Sequence, residues 1–268
     1  MISRRHLAAA AAVSVLLGTA LTGCGDKASS EVTLTVGATP VPHADILKFI
    51  APALKKEGIN LKVVEFSDYV KPNLALADKE LDANFFQHVP YLESFAGERN
   101  LKLSVLCAVH IEPMGVYSKT VKSLTDVPEG AKVAIPNDPT NGGRALKVLE
   151  NAGLITLKDG VGVKGTLADV TVNRLKLKIV ELEAATLPRA LDDVTLAVIN
   201  SNFAMGVGLN PSKDALTIEA KDSPYANVVA VRTGDDRPAL KKLSEALRSV
   251  DVKKFIEDTY KGAVVPAF

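Results

Sequence analysis

Apolar and polar positions alternate at 32–36, the rhythm of a half-buried strand, and then the period changes. Ile46, Leu47, Ile50 and Leu54 recur at helical spacing and Gly58 supplies a stop, so a helix is predicted after the breaks at Pro40 and Pro42. The exchange continues with a strand at 61–66, a short helix at 70–77, a strand at 81–86 and a helix at 90–99. This order predicts a mostly parallel sheet with helices on its faces. A long extended run at 103–118 leads to a second unit, with a turn-rich connector at 123–130, strands at 132–135, 178–182 and 196–199, and helices at 142–151 and 187–191. Another extended run at 227–232 precedes two amphipathic helices, 238–250 and 252–260. Two α/β units joined by two extended segments predict two lobes: 32–115 plus 229–268, and an inserted 116–228. A cleft between them is where a small molecule would bind.

The N-terminus follows a different pattern. Arg4 and Arg5 precede an uncharged apolar stretch at 7–17. At ~1.5 Å per residue such a run falls short of a ~30 Å bilayer core and fits a secretory signal instead. It ends in Leu21-Thr22-Gly23-Cys24, which resembles the lipobox of bacterial lipoproteins. The resemblance implies a signal peptide at 1–23, a mature N-terminus at Cys24 carrying a diacylglycerol on its sulfur, and a polar tether at 24–31. Two acyl chains, at about 0.8 kcal/mol per buried CH₂, would hold the protein on the extracytoplasmic side of a cell-envelope membrane.

Composition narrows the function. The 268 residues are 47% apolar, too apolar for intrinsic disorder. Lys and Arg number 32 against 31 Asp and Glu, and losing Arg4 and Arg5 leaves 30, without the basic excess that nucleic-acid binding requires. Two cysteines cannot build a disulfide framework or a four-thiolate zinc site, and Cys107, in an apolar run, is predicted to be a buried thiol. Gly160, Gly162 and Gly165 have the spacing of a dinucleotide fingerprint, but no strong strand precedes them and no long helix follows, so they predict a surface loop. Neither a phosphate-binding loop nor a nucleophile elbow occurs, so no cofactor, no catalytic residue and no enzymatic activity are expected. His43, His88 and His110, joined by Glu112, could gather on a metal, although their spacing does not require one and no metal site is predicted.

Binding chemistry concentrates in two places. The first is Asn137-Asp138-Pro139-Thr140-Asn141-Gly142-Gly143-Arg144, between a strand and a helix. Its glycines would let backbone approach a ligand closely, and N–H groups at a helix start favour anions. Arg144, placed in the first turn against the helix dipole, calls for an anionic partner, either a ligand carboxylate or one from the chain itself. The second place is a cluster of five rings, Tyr69, Phe85, Phe86, His88 and Tyr91, within 23 positions. It is either a core cluster or a ligand cage. Strand alternation sends Phe85 and Phe86 to opposite faces, so at most one can line a cleft. Asn200, Ser201, Asn202 and Asn227 add neutral hydrogen-bonding groups at strand ends.

In this order, Gly37-Ala38-Thr39-Pro40-Val41-Pro42-His43, Tyr69-Val70-Lys71-Pro72-Asn73, Asp82-Ala83-Asn84-Phe85-Phe86-Gln87-His88, the Pro136 to Gly142 block and Ser223-Pro224-Tyr225-Ala226-Asn227 resemble the methionine-binding lipoproteins of bacterial ABC importers, the NlpA/MetQ family. The resemblance runs from the lipobox to Gly262-Ala263. It implies an α/β, two-lobed fold of the type II periplasmic-binding-protein kind, each lobe a mixed sheet flanked by helices, that closes on L- or D-methionine and delivers it to a permease and its ATPase. Carried over by position, Arg144 would hold the α-carboxylate with Asn202 and Asn227. Tyr69, Phe86, His88 and Tyr91 would enclose the thioether, with Asn141 beside them, Glu112 as partner of the ammonium and Phe85 as a further candidate. The alternatives are the same fold binding another amino acid or a methionine-containing dipeptide, and a metal-binding lipoprotein.

Overall fold

Each amphipathic stretch buries its apolar stripe against one of two sheets in a computed structural model that describes residues 31–220 and 224–268. The predicted signal peptide, Cys24, nearly all of the tether, and Ser223 lie outside the described residues.

The first sheet begins with β1 (Val32–Ala38), followed by a helical turn at Pro40–Ala44 and α1 (Asp45–Lys56). Next come β2 (Ile59–Glu65), α2 (Lys71–Ala77), β3 (Ala83–His88), α3 (Val89–Glu98) and β4 (Leu103–Ile111). At Pro113 the chain leaves this sheet, so the predicted extended run at 103–118 is two strands in different sheets, β4 and β5 (Gly115–Tyr117). The second sheet adds β6 (Lys132–Pro136), and α4 (Pro139–Asn151) packs on it. A small hairpin, β7 (Thr156–Leu157) with β8 (Val170–Val172), precedes β9 (Lys178–Leu182). Then α5 (Leu187–Ala190), β10 (Leu196–Ile199), α6 (Ser201–Gly206), α7 (Pro211–Asp214) and β11 (Thr217–Ile218) complete the lobe. The chain returns to the first sheet as β12 (Ala226–Arg232) and closes with α8 (Pro238–Leu247), α9 (Val250–Tyr260) and β13 (Val265–Pro266).

Strand order is β13-β4-β12-β3-β1-β2 in one sheet and β11-β5-β10-β6-β9 in the other. Both sheets are mixed, as the family resemblance implies, rather than mostly parallel as the order of elements alone predicts. β1, β2 and β3 run parallel, whereas β12 is antiparallel to β3 and β4. The reason is topological: β12 re-enters from the other lobe and so runs the opposite way.

Each sheet is covered on both faces. Ile46, Leu47, Ile50 and Leu54 of α1 meet Leu240 and Leu243 of α8 and Ile256 of α9 over Leu34, Val36 and Val229. Leu76 of α2 and Leu92 of α3 cover Val228 and Ala230 on the opposite face. In the second lobe, Leu146 and Leu149 of α4 pack on Val133, Ile135 and Val198, with Leu187 and Leu191 on the other side against Ala134 and Ala197. Cys107 is buried in the first core, and burial pushes its thiol pKa up, as suits an inert hydrophobe.

Candidate functional site

α4 starts three residues earlier than the sequence pattern suggests. Asp138 caps it, accepting the Asn141 backbone N–H at 2.9 Å, and Pro139 takes the first helical position. Two expectations change as a result. The helix start is satisfied by the chain's own carboxylate, and Arg144 lies in the second turn. The two glycines admit protein backbone rather than ligand: a Cβ on Gly143 would sit 2.2 Å from Val163 O, and one on Gly142 3.0 Å from Pro136 O. Gly143 thereby lets the 162–164 turn pack on α4, and the glycine-spaced loop serves that packing.

Arg144 is 3% exposed and faces the cleft. Its Nε donates to both oxygens of Glu219 at 3.1 Å, and Nη2 donates to Glu219 Oε2 at 2.5 Å and to the Glu112 carbonyl at 2.8 Å. The Tyr225 ring lies 4.2 Å beneath the guanidinium carbon. Both partners proposed for Arg144 are therefore compatible: the chain's own Glu219 holds one edge, while Nη1 has no partner among the described residues.

The ring cluster forms the opposite wall. Tyr69, Phe86 and Tyr91 stand with centroids 5.8–6.0 Å apart, and Tyr69 also meets Phe203 of α6 at 4.8 Å. Strand pairing passes from Gln87–Val228 to Phe85–Val229, so Phe86 is a bulged residue pushed out toward the cleft. Phe85 takes the other face, fully buried against the rings of His43 and His110, and the structure removes it from the pocket. His88 Nδ1 accepts the Tyr91 backbone N–H, so Nε2 carries the proton and donates to Asn141 Oδ1 at 3.2 Å. Burial, then the Arg144 charge, draws the His88 pKa down to about 3. Asn141 in turn donates to both Asp138 oxygens and accepts from Asn200 at 2.8 Å.

Glu112, on the segment between β4 and β5, is buried beneath these walls. Its Oε1 lies 2.7 Å from His110 Nε2 and 3.3 Å from His43 Nε2, and its pKa is raised, with desolvation outweighing the pull of His43, Arg144 and the Asn202 backbone N–H. Burial draws His43 down to about 4 and His110 to about 3. His43 Nδ1 meets Thr39 Oγ1 at 2.7 Å, and its Nε2 meets Asn227 Oδ1 at 3.0 Å. Of the four residues weighed as metal ligands, His43, His110 and Glu112 come together, with ligand atoms within 4.8 Å of one another, and His88 stays apart.

Between the walls lies a small hollow, ≈ 330 Å³ when space open to solvent is included. Arg144, Asn202, Asn227, Tyr69, Phe86, His88, Tyr91, Asn141 and Glu112 all line it. Gln87, Asn200 and Ser201 line it as well, and Glu219 stands behind Arg144. Its polar groups sort by sign. Asn202 Oδ1 accepts the Tyr69 hydroxyl at 2.6 Å and Asn227 Oδ1 accepts from His43, so each amide has its NH₂ left to offer. Asn200 Oδ1 is a buried acceptor with no partner among the described residues.

The family model for NlpA lipoproteins matches residues 34–268. The D-methionine-binding lipoprotein MetQ of Escherichia coli K12 is 42% identical over 260 residues, which cover 95% of this chain and 96% of that protein. The methionine-binding lipoprotein MetQ of Bacillus subtilis is 45% identical over 255 residues, 92% of this chain and 93% of that protein. A nutrient-binding protein from Burkholderia cenocepacia, solved bound to methionine, superposes with a TM-score of 0.85 at 48% identity, covering 88% of this chain and all (100%) of that one.

Proposed function

The chain belongs to the NlpA lipoprotein family, and from that premise we propose that it is the substrate-binding lipoprotein of an ABC importer, capturing methionine outside the cytoplasmic membrane. It is a binding protein with a periplasmic-binding-protein fold, and saturable binding without turnover is its expected behaviour.

One observation carries the reading: the hollow is lined together by donors, acceptors and rings, the three kinds of group that the parts of an α-amino acid require. Arg144 Nη1 and the NH₂ groups of Asn202 and Asn227 are donors for the α-carboxylate. Glu112 and Asn200 Oδ1 are acceptors for the ammonium. Tyr69, Phe86, His88 and Tyr91 take the thioether, and sulfur at aromatic edges adds about 0.3–1.5 kcal/mol. Burying the methionine side chain contributes about 1.5–3 kcal/mol, far below the ~8–12 that micromolar to nanomolar binding needs. Charge-assisted hydrogen bonds, about 1.5–3 kcal/mol each, must supply the remainder, so the charged groups and the cage are both required.

Walls from both lobes make the hollow a closed-state site. Closure would mark the loaded protein for a permease and its ATPase, while the lipid on Cys24 keeps it at the membrane. No helix among the described residues is long and apolar enough to cross a membrane. Native mass spectrometry of freshly purified protein tests the proposal. A copurified mass equal to methionine, displaced by added methionine in calorimetry, is expected, and a protein that neither carries nor takes up methionine would refute it.

A further inference from the structure

His43 and His110 approach the same oxygen of Glu112 through their Nε2 atoms, one from the turn ahead of α1 and the other from β4. Which ring nitrogens carry protons follows from the neighbours. His110 Nδ1 is buried with no partner among the described residues. A proton there would be an orphaned donor, the costlier kind of unpaired group, so the proton belongs on Nε2 and is donated to Glu112. His43 Nδ1 faces the Thr39 hydroxyl, which donates to it, leaving the Nε2 proton to go to Asn227 Oδ1, with Glu112 Oε1 3.3 Å away. The same logic argues against a metal on this trio. A ligating His110 Nε2 would need its proton on Nδ1, and a metal-bound histidine donates that N–H to a partner, which is missing among the described residues.

We propose that His43 and His110 are positioning residues that hold the Glu112 carboxylate, His110 by an N–H donated to Oε1 and His43 by its close approach to the same oxygen, in the orientation that receives the ligand's ammonium. This rests on the reading of the hollow as an amino-acid site. Because His43 also holds Asn227 Oδ1, it aligns the ammonium acceptor and one carboxylate donor together. The His110 N–H favours the charged carboxylate against a desolvation that would protonate it. The titratable groups facing Glu112 are His43, His110, Arg144, Tyr69 and Tyr260; both tyrosines have pKa values raised above the ordinary phenol range, which leaves the histidines and Arg144 to set its charge in acid.

The test measures methionine and its des-amino analogue, 4-(methylthio)butanoate, by calorimetry on the full-length chain in detergent. His110→Phe should weaken methionine by about tenfold or more, the worth of one charge-assisted hydrogen bond, and leave the analogue within about twofold. It should also move the acid midpoint of methionine binding upward by about one pH unit, and His110→Gln, which restores an N–H donor, should recover part of both effects. In a Glu112→Gln background either substitution should change methionine affinity by less than about twofold, a result that stands even if His110→Phe alone fails to fold. Equal weakening of both ligands, an unmoved acid midpoint, or a full His110 effect without the Glu112 charge would overturn the proposal, as would stoichiometric zinc retained by dialysed protein. A wild-type chain that binds no methionine would instead remove the amino-acid reading on which it rests.

Discussion

Tyr69 donates its hydroxyl to Asn202 Oδ1 at 2.6 Å, a bond that ties the first lobe directly to the start of α6 in the second. A second bond, His88 to Asn141, crosses the cleft beside it. Both involve residues that line the hollow, so what holds the lobes together also shapes the pocket. Tyr69→Phe keeps the ring and deletes the strut. It also returns Asn202 Oδ1 to the cleft as an unpaired acceptor facing a carboxylate. Methionine affinity should fall by about 1–2 kcal/mol, and solution scattering should show a more open protein without ligand. Unchanged affinity together with an unchanged scattering profile would count against the strut.

Arg144 has two carboxylates in its future, Glu219 now and the ligand's when one binds. Arg144→Ala should cost at least about 2 kcal/mol of methionine affinity. It should also lower stability by about 3 kcal/mol, because the largely buried Glu219 is left without its partner. The double variant Arg144→Ala with Glu219→Gln separates the two effects: denaturant midpoints should recover while affinity stays low. Recovery of both would show that Arg144 acts only by keeping Glu219 in place.

The contrast between these two carboxylates shows what was legible in the chain. Glu112 follows a strand whose pattern is plain, and the extended run around it could be read directly. Glu219 follows a two-residue strand, β11, whose place in the fold depends on pairing with β5, so nothing local marks it as the Arg144 partner. The helix period of α1 and the opposite faces of Phe85 and Phe86 were readable because each is a property of a single element. The α4 start is legible too, since Asp138-Pro139 is a cap followed by proline, while the two glycines point to a later one. Their actual role, contact with the 162–164 turn, is tertiary and has no local signature. The same holds for the His43–Glu112 contact, which joins residues about seventy positions apart, whereas His110 and Glu112 are neighbours along one strand end.

Three buried histidines make stability depend on pH in a defined direction. His43, His88 and His110 have pKa values drawn down to about 4, 3 and 3 by burial, against about 6.5 in an unfolded chain. Between about pH 6.5 and 4 the unfolded chain therefore binds more protons, and stability must fall as pH falls. Glu112, whose pKa burial raises, works the other way by taking up a proton more readily in the fold. The slope in urea titrations across that window has a ceiling of three protons, about 4 kcal/mol per pH unit, set by the three histidines and lowered by Glu112. His88→Gln should flatten it by about one proton. A flat stability profile from neutral pH to 4.5 would contradict burial of these rings in the neutral form.

The anchor is separable from the site. Cys24→Ser removes the sulfur that the lipobox resemblance marks for acylation, and the protein should then move from the membrane fraction to the soluble one. Methionine affinity should be unchanged, since the hollow is built from residues 69–227. Continued sedimentation with membranes would show that something other than this cysteine holds the protein there.

Phe86 offers the sharpest test of what the cage recognises. It is 3% exposed, bulged out of β3, and packed between Tyr69 and Tyr91, so its ring helps form the floor on which a long side chain would lie. An alanine ligand bound through the same carboxylate and ammonium would not reach that floor. Phe86→Ala should therefore cost methionine about 1–3 kcal/mol, from lost apolar burial and lost sulfur–ring contact, while alanine loses less than about 0.5 kcal/mol. The substitution also opens a cavity in a packed cluster and should lower stability, so Phe86→Leu, which fills most of the volume without a ring, is the control. Leucine should restore stability and only part of the methionine affinity. If methionine and alanine weaken equally, the ring's role is to support the lobe, and the thioether must lie against another wall.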